Sequence, residues 1–360
     1  MKILIKIGHP AQVHLFKNPI GDLEKDGHIV KIVTKDKDVA MELLDAYGLK
    51  YEVISGYSTT MISKVYNFVK TDLKLLKIAI KNKPDILIAV GDPYVAHVGM
   101  LIKKPSIIFT DTEHAKLANK LTFPFTTTIC TPSSFKKDLG KKQVRYNGYH
   151  ELAYLHPNYF TPDPGVLDDL NLTTDDKFII IRFVAWAASH DLGQFGISND
   201  MKVKYISKLE QYGNVFISSE SKLGKEFEKY KLKISPEKFH SLLSYAQLYI
   251  GEGGSTATEA AILGTPSIHI SSTAKFCGVF DDLLNKYNLI YTFDNDQKAL
   301  EKAVEILTNP QSKKMWMSRR DTMLKEKIDV TKFMTEFIEE YPESFYRIKS
   351  NEVESCSQES

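Results

Sequence analysis

The chain has 360 residues, of which 43% are hydrophobic and 26% are charged, and its formal net charge at pH 7 is +2. This length suits two domains of ordinary size, and the composition is typical of a globular protein. The nearly balanced charge gives no support to a nucleic-acid partner. The N-terminal apolar stretch is too short for a signal peptide, and no run of about 18 apolar residues exists, so no transmembrane segment is predicted.

Cysteine usage favours a reducing compartment. Cys130, Cys277 and Cys356 lie far apart and have no metal-binding spacing. We therefore expect reduced thiols and a cytoplasmic protein. Lysines cluster at residues 136–137 and 141–142, which indicates a solvated face or a weak membrane-surface patch. A peripheral contact with a membrane therefore stays open.

Strands and helices alternate through residues 1–150. Residues 2–7, 13–26 and 29–34 predict strand, helix and strand from their apolar spacing. The apolar run at residues 86–90 does not alternate with polar residues, which is typical of a central parallel strand. These features predict a Rossmann-like, doubly wound α/β domain.

The composition changes after residue 150. Residues 151–177 are rich in Tyr, His, Pro and Asp, and we interpret them as an interdomain connector. A second alternating series at residues 178–328 predicts a second Rossmann-like domain. Residues 329–349 predict a C-terminal helix that can cross back, and the polar residues 350–360 are expected to be disordered.

Polar residues that directly follow strands are the candidates for chemistry, because ligands of open α/β sheets bind beyond the carboxyl ends of the strands. Two facing sheets would bring such residues together in one central cleft, where His residues and carboxylates indicate catalysis. The candidates from both predicted sheets are His9, Asp92, Glu113, His114, Arg182 and His190.

Each of these candidates also has a structural interpretation. Asp92 precedes a proline and fits a helix N-cap as well as a general acid or base. Glu113 and His114 fit the first turn of a helix, and His9 fits a residue that orients a loop. A buried Arg182 needs an anionic partner, which a ligand phosphate or a structural carboxylate would equally provide.

For two further stretches, the sequence does not decide between a role in the site and a role in packing alone. His190 lies in a loop of unusual composition with Trp186 and Asp191. The connector begins next to His150-Glu151, which would line the cleft or only pack against it. Asp111 lies in the same post-strand loop as Glu113.

The most informative stretch is GEGGSTATEAAILGTPSIHI, at residues 251–270. It predicts a strand, a glycine turn, a helix and a further strand. Gly253, Gly254 and Ser255 would leave backbone amides free at a helix N-terminus, where the helix dipole favours an anion. Glu259, one turn into the helix, would accept hydrogen bonds from sugar hydroxyls. An ordinary turn explains the same glycines, so local spacing leaves both interpretations open.

These segments, with the paired βα series, resemble the GT-B superfamily. The blocks that carry the resemblance are LEKDGHIV and GGSTATEAAILGTP. That superfamily includes nucleotide-sugar glycosyltransferases and non-hydrolysing UDP-N-acetylglucosamine 2-epimerases. GHPAQVHLFKNPI, RFVAWAASHD and GYHELAYLHP are similar to blocks of an uncharacterised, largely archaeal family of GT-B-like proteins. The resemblance covers nearly all of residues 1–345 and implies two doubly wound domains that face a central cleft.

The resemblance also implies roles for single residues. Gly253, Gly254 and Ser255 match the diphosphate-binding turn, and Glu259 matches the ribose-binding glutamate. Asp92 and Glu113 are similar to epimerase carboxylates that follow strands. The chain departs from the epimerases at residues 117–127 and 183–190, where it lacks a further glutamate and a Gly-His-Arg-Arg loop.

We therefore expect a glycosyltransferase that uses a nucleotide-diphosphate sugar in glycan or lipid-linked sugar assembly. The acceptor would be a sugar or a lipid-linked molecule, and a homodimer is compatible with the sequence. The alternatives are a nucleotide-sugar 2-epimerase and a non-catalytic nucleotide-sugar binding protein. His9, Asp92 or Glu113 would act as the base, and the glycine turn with Arg182 would hold the diphosphate. No cofactor or metal is expected, because turn amides and the helix dipole would stabilise the leaving group.

Overall fold

The computed structural model describes residues 1–36, 38–55, 61–184, 197–219 and 223–358. The chain divides into two compact units. The first unit comprises Met1–Tyr154 and the C-terminal segment from Ile328, and the second comprises Leu155–Lys327. Residues 155–177 therefore group with the second unit, whereas residues 329–349 group with the first.

The described residues of the first unit form a seven-stranded parallel sheet. Its strands are β1 (Lys2–Ile7), β2 (Ile29–Lys35), β3 (Tyr51–Ser55), β4 (Ile86–Val90), β5 (Ser106–Phe109), β6 (Thr128–Pro132) and β7 (Gln143–Tyr146). Their spatial order is β3-β2-β1-β4-β5-β6-β7. The order reverses between β1 and β4, and such a switch point is where ligands bind in doubly wound sheets.

Helices cover both faces of this sheet. They are α1 (Pro10–Lys25), α2 (Asp38–Ala46), α3 (Met61–Asn82), α4 (Pro93–Ile102), α5 (Lys116–Thr122) and α6 (Leu152–Leu155), followed after the second unit by α13 (Val330–Glu339) and α14 (Glu343–Gln358). Right-handed crossovers place α1 and α2 on one face and α3, α4 and α5 on the other. The inner side of α3 packs Leu75 and Ala79 against Leu4 of β1 and Leu87 of β4.

Helix α14 corrects the expectation of a disordered tail. It continues to Gln358 and so covers residues 350–358. The expectation rested on low hydrophobicity, which governs packing rather than helix formation. A helix that has already nucleated extends through polar residues because each added residue gains one backbone hydrogen bond.

The described residues of the second unit form a five-stranded parallel sheet in the order β12-β11-β10-β8-β9. Its strands are β8 (Phe178–Phe183), β9 (Asn214–Ser219), β10 (Leu248–Gly251), β11 (Ser267–Ile270) and β12 (Ile290–Phe293). Here the order reverses between β8 and β10, and Arg182 pairs with Gly251 across that switch point.

The helices of the second unit follow the same doubly wound plan. They are α7 (Asn199–Leu209), α8 (Phe239–Tyr245), α9 (Gly254–Ile262), α10 (Gly278–Asp281), α11 (Asp296–Thr308) and α12 (Ser312–Glu326). The apolar runs of β8 and β10 are fully buried, as expected for central parallel strands. Among the described residues, no helix has the length and apolar character needed to cross a bilayer.

Candidate functional site

His9 follows β1 at the switch point of the first unit. It is exposed and forms the N-cap of α1, where its Nδ1 accepts a hydrogen bond of 3.2 Å from Ala11 N. A ring nitrogen that accepts a hydrogen bond carries no proton, so the proton of the neutral ring lies on Nε2. In this state His9 donates at Nε2, and the base role predicted for it would require the cap to break.

Asp92 follows β4 at the same switch point and is almost completely buried. Its Oδ1 accepts a hydrogen bond of 3.1 Å from Val95 N, so it is the N-cap of α4. Its Oδ2 forms an ion pair with the fully buried Lys6 of β1. Burial, together with the Asp92 and Asp72 carboxylates, raises the pKa of Tyr94 to about 12. The structural interpretation of Asp92 holds, and Lys6 is a partner that the sequence analysis missed.

Glu113 and His114 lie in the turn after β5. Glu113 is buried, and its Oε1 accepts a hydrogen bond of 3.1 Å from Lys136 N. Lys137 Nζ donates to the Glu113 carbonyl at 3.0 Å, while His114 is half-buried. Glu113 thus holds the turn after β5 to the segment after β6, which is a structural task whether or not it also performs chemistry.

Asp111 and His150 form a pair that the sequence analysis did not predict. Asp111 follows β5, His150 follows β7, and Asp111 Oδ2 lies 3.2 Å from His150 Nδ1. Burial opposes ionisation of Asp111, but the positive charge of a protonated His150 ring and hydrogen bonds from His150 and Thr112 outweigh it and lower the Asp111 pKa to about 2. An ionised carboxylate holds the proton on Nδ1, so Nε2 of the neutral ring is an acceptor. His150 Nε2 is buried and has no hydrogen-bond partner among the described residues.

In the second unit, the predicted glycine turn lies at the switch point. Gly253 is the N-cap of α9, and no side chain within the described residues caps that helix. Gly253 and Gly254 are half-buried, and Ser255 is exposed in the first turn. A Cβ on Gly251 would lie 2.4 Å from the Arg182 carbonyl oxygen, so the close pairing of β10 with β8 requires glycine there.

Arg182 ends β8 beside this turn. A Cβ on Gly253 would lie 2.8 Å from Arg182 Cδ and Nε, so the guanidinium side chain passes directly over the glycine. Arg182 Nη1 donates to Ser218 Oγ at 2.7 Å. The structure therefore brings two predicted elements, the guanidinium and the α9 N-terminus, into contact.

The backbone amides at the N-terminus of α9 lack the side-chain caps that are found in the described residues at the first switch point, on α1 and α4. There the side chains of His9 and Asp92 cap α1 and α4, and Gly8 N donates to Gln12 Oε1 at 2.6 Å. Those amides are occupied, and the Asp92 carboxylate would repel an anion. The glycine-capped α9 with an adjacent guanidinium is therefore the better anion site.

Glu252, inside the glycine turn, is a second residue that the sequence analysis missed. Its carboxylate is buried and accepts hydrogen bonds from Val184 N at 3.1 Å and from Ile197 N at 2.7 Å. Glu252 therefore fixes the chain on both sides of residues 185–196. Predicted site residue His190 falls within that segment, outside the described residues.

Two buried histidines lie near the helix that follows the turn. Glu259 is buried, and its Oε1 lies 3.0 Å from His240 Nε2; its ribose-binding role stays a prediction. His269 ends β11 and stacks on Phe280 with ring centroids 4.7 Å apart. Burial lowers the His269 pKa to about 4, so this ring is neutral at pH 7 next to the turn. In the part of the chain that the structure describes, no three His, Cys, Asp or Glu side chains converge as a metal site.

The family described as "Protein of unknown function (DUF354)" matches residues 1–341. The chain belongs to this family. An uncharacterized protein of Methanocaldococcus jannaschii is 26% identical over 318 residues, which is 85% of this chain and 91% of the relative. The predicted membership of an uncharacterised family with an archaeal member is thereby confirmed.

Solved structures with the same fold include both enzyme classes named above. The UDP-GlcNAc 2-epimerase of Neisseria meningitidis bound to UDP-GlcNAc has a TM-score of 0.70, 13% identity, and covers 94% of this chain and 99% of its own. The glycosyltransferase SsfS6 of Streptomyces sp. SF2575 has a TM-score of 0.58, 12% identity, and covers 93% and 99%. At such identities the likeness shows the fold alone, and it confirms the predicted GT-B fold class.

Proposed function

We propose that the protein is a glycosyltransferase that takes a sugar from a nucleotide-diphosphate sugar and passes it to an acceptor hydroxyl. The second unit would bind the diphosphate, and the first unit would supply the base. The leaving diphosphate carries the charge that develops in the transition state, so its binding site is also the place where the reaction is assisted.

The observation that carries this proposal is the contact between Arg182 and the glycine-capped N-terminus of α9 at a switch point. Three features there favour an anion: a guanidinium, a helix dipole and first-turn amides that no described side chain caps. The exposed Ser255 hydroxyl adds a donor. The solved structures with this fold, one of them bound to UDP-GlcNAc, support the nucleotide diphosphate as that anion.

The base that the geometry supports best is His150. A base needs a free lone pair, and the Asp111 carboxylate at Nδ1 leaves that lone pair on Nε2. Because Nε2 is buried, a local opening must admit the acceptor hydroxyl. His9 has the opposite tautomer because Ala11 N donates to its Nδ1. The Asp111 carboxylate would stabilise the imidazolium that forms when His150 takes the hydroxyl proton.

The second candidate is a nucleotide-sugar 2-epimerase. The higher TM-score of the epimerase, 0.70 against 0.58, favours it. Against it, the two carboxylates that would serve as acid and base are engaged: Asp92 pairs with Lys6, and Glu113 accepts from Lys136 N. Incubation with UDP-N-acetylglucosamine and no acceptor separates the two, since only an epimerase yields the 2-epimer, observed by proton NMR.

The diphosphate site is tested by Ser255→Asp. We expect UDP to bind at least 100-fold more weakly by calorimetry, because a carboxylate in the first turn of α9 repels phosphate. The melting temperature should stay equal or rise, since an acidic residue stabilises a helix N-terminus. Ser255→Asn, which adds similar volume without charge, is the control and should stay within a few-fold of wild type. Unchanged affinity in Ser255→Asp would place the nucleotide elsewhere and remove the main support for the proposal.

The base is tested by His150→Gln. Once a panel of nucleotide sugars and acceptors has identified turnover, we expect kcat to fall by about 10²–10⁴, with UDP affinity unchanged. His9→Gln is the matched variant, and its loss of kcat should be much smaller. The reverse ranking of the two variants would assign the base to His9.

A further inference from the structure

Helix α3 has an outer side that combines apolar and basic residues. Its inner side is buried in the core of the first unit. The outer side exposes Tyr66 (64%), Val69 (53%), Leu73 (60%) and Ile80 (60%). Four exposed lysines accompany them: Lys70, Lys74, Lys77 and Lys81. We call these eight residues the apolar–basic face.

The two kinds of side chain form adjoining stripes. With about 100° of rotation per residue, the four apolar side chains fall within an arc of about 60°, and the four lysines fall within the neighbouring arc of about 60°. The half-buried Leu76 lies beside the apolar stripe between Leu73 and Ile80. Single exposed apolar residues are ordinary on protein surfaces, but a continuous stripe marks an interaction site.

On the helices that cover this side of the sheet, basic residues far outnumber acidic ones. The one carboxylate in the sequence of α3 is Asp72, which bonds to His97 of α4 at 3.1 Å. The sequences of α4 and α5 contain no Asp or Glu. Exposed Lys103 and Lys116 add further positive charge to the same helical layer, whereas Lys104 pairs with Asp85. The layer is therefore basic, although the whole chain carries only +2.

We propose that the apolar–basic face docks on the surface of an anionic lipid bilayer. A helix lying in that interface buries aliphatic and aromatic side chains at the acyl boundary and sets its lysines among anionic headgroups. Lysine suits this position because its alkyl stem covers apolar surface while the ammonium reaches the headgroups.

Other occupants fit the face less well. A second copy related by two-fold symmetry would bring eight like charges together around the contact. Nucleic acid would match the lysines but would leave the aliphatic Val69, Leu73 and Ile80 without a partner, because bases stack on aromatic side chains. A bilayer satisfies both stripes at once.

Two lysines of the cluster at residues 136–142 form hydrogen bonds within the protein. Lys137 Nζ donates to the Glu113 carbonyl at 3.0 Å. Lys142 Nζ donates to the carbonyls of Phe123 at 3.5 Å and Pro124 at 3.0 Å. Those two ammonium groups bond to backbone carbonyls, and residues 136–142 themselves expose no apolar stripe like that of α3, so we assign the membrane contact to α3.

The test is flotation of the full-length chain with vesicles. Neutral vesicles consist of phosphatidylcholine, and anionic vesicles contain one third phosphatidylglycerol. Binding to each kind is measured at low and at high salt. We expect binding to the anionic vesicles alone, with a loss at high salt as charges are screened. Two variants of the face should each lower the bound fraction at least tenfold: one carries Lys70→Gln, Lys74→Gln, Lys77→Gln and Lys81→Gln, and the other carries Val69→Ser, Leu73→Ser and Ile80→Ser.

A matched control variant shows whether binding depends on the apolar–basic face or only on the net charge of the chain. It replaces four exposed lysines of the second unit by Gln, and these are Lys208, Lys225, Lys233 and Lys298. Both lysine variants change the net charge equally, from +2 to −2 because four charges are removed. The control should bind like wild type, and all variants should keep the wild-type melting temperature, since every site is exposed. Absent wild-type binding, equal loss in the control, or a dimer that the α3 variants dissociate would overturn the proposal.

Discussion

Replacing Lys6 by Met is expected to lower the free energy of unfolding by about 3–5 kcal/mol. Lys6 is fully buried on the central strand β1, and its ammonium pairs with Asp92. Met fills similar space but leaves the Asp92 carboxylate buried with one backbone partner, Val95 N. Removing one member of a buried ion pair is costly because the remaining charge stays desolvated. Urea unfolding followed by far-ultraviolet circular dichroism measures the change.

A double variant identifies the cause of this loss. Asp92→Asn removes the charge but keeps an oxygen that caps α4, since Asn and Asp are equally good N-caps. Lys6→Met combined with Asp92→Asn should therefore regain at least half of the stability that Lys6→Met loses. If the double variant is as unstable as Lys6→Met alone, the cost comes from packing around Lys6 and the ion-pair explanation fails.

Replacing Glu252 by Ala is expected to cost about 3–5 kcal/mol in the second unit, because two hydrogen bonds to a buried carboxylate are lost. The bonds join Glu252 to Val184 N and Ile197 N, on either side of residues 185–196. Both tryptophans of the chain, Trp186 and Trp316, belong to the second unit. Urea unfolding followed by tryptophan fluorescence therefore reports on this unit.

Glu252→Gln is the matched control for that experiment. Its amide oxygen can accept from one of the two backbone amides, while its NH₂ group faces the other. We expect a loss of stability between those of wild type and Glu252→Ala. Equal stability of all three proteins would show that Glu252 does not hold the two chain segments.

Local patterns in the sequence predicted two doubly wound α/β units. Apolar spacing located most strands of both sheets, but the four-residue strands β7 and β12 were not predicted. The glycine turn was placed correctly at the start of α9, because strand periodicity and turn chemistry depend on residues close in sequence. The N-cap interpretation of Asp92 was available for the same reason, since a proline follows it. The GT-B fold class needed these local signals and the family resemblance together.

The pairing of polar side chains was decided by the tertiary structure. Lys6 and Asp92 are 86 residues apart, and the ion pair exists because β1 and β4 are neighbours in the sheet. The sequence marked Lys6 as unusual, since a lysine interrupts the apolar strand KILIKI. It gave no indication that Asp92 would be its partner. The same holds for Asp111 with His150, which follow different strands.

The sequence by itself determined two doubly wound units, a glycine-capped helix at a switch point, and polar residues at the carboxyl ends of the strands. The tertiary structure decided what those residues do: it joined Asp92 to Lys6, set the tautomers of His9 and His150 apart, and placed Arg182 over Gly253. The physical reason is that periodicity and turns are short-range properties of the chain. Protonation, ion pairing and anion binding depend on groups that only the packed sheet brings together.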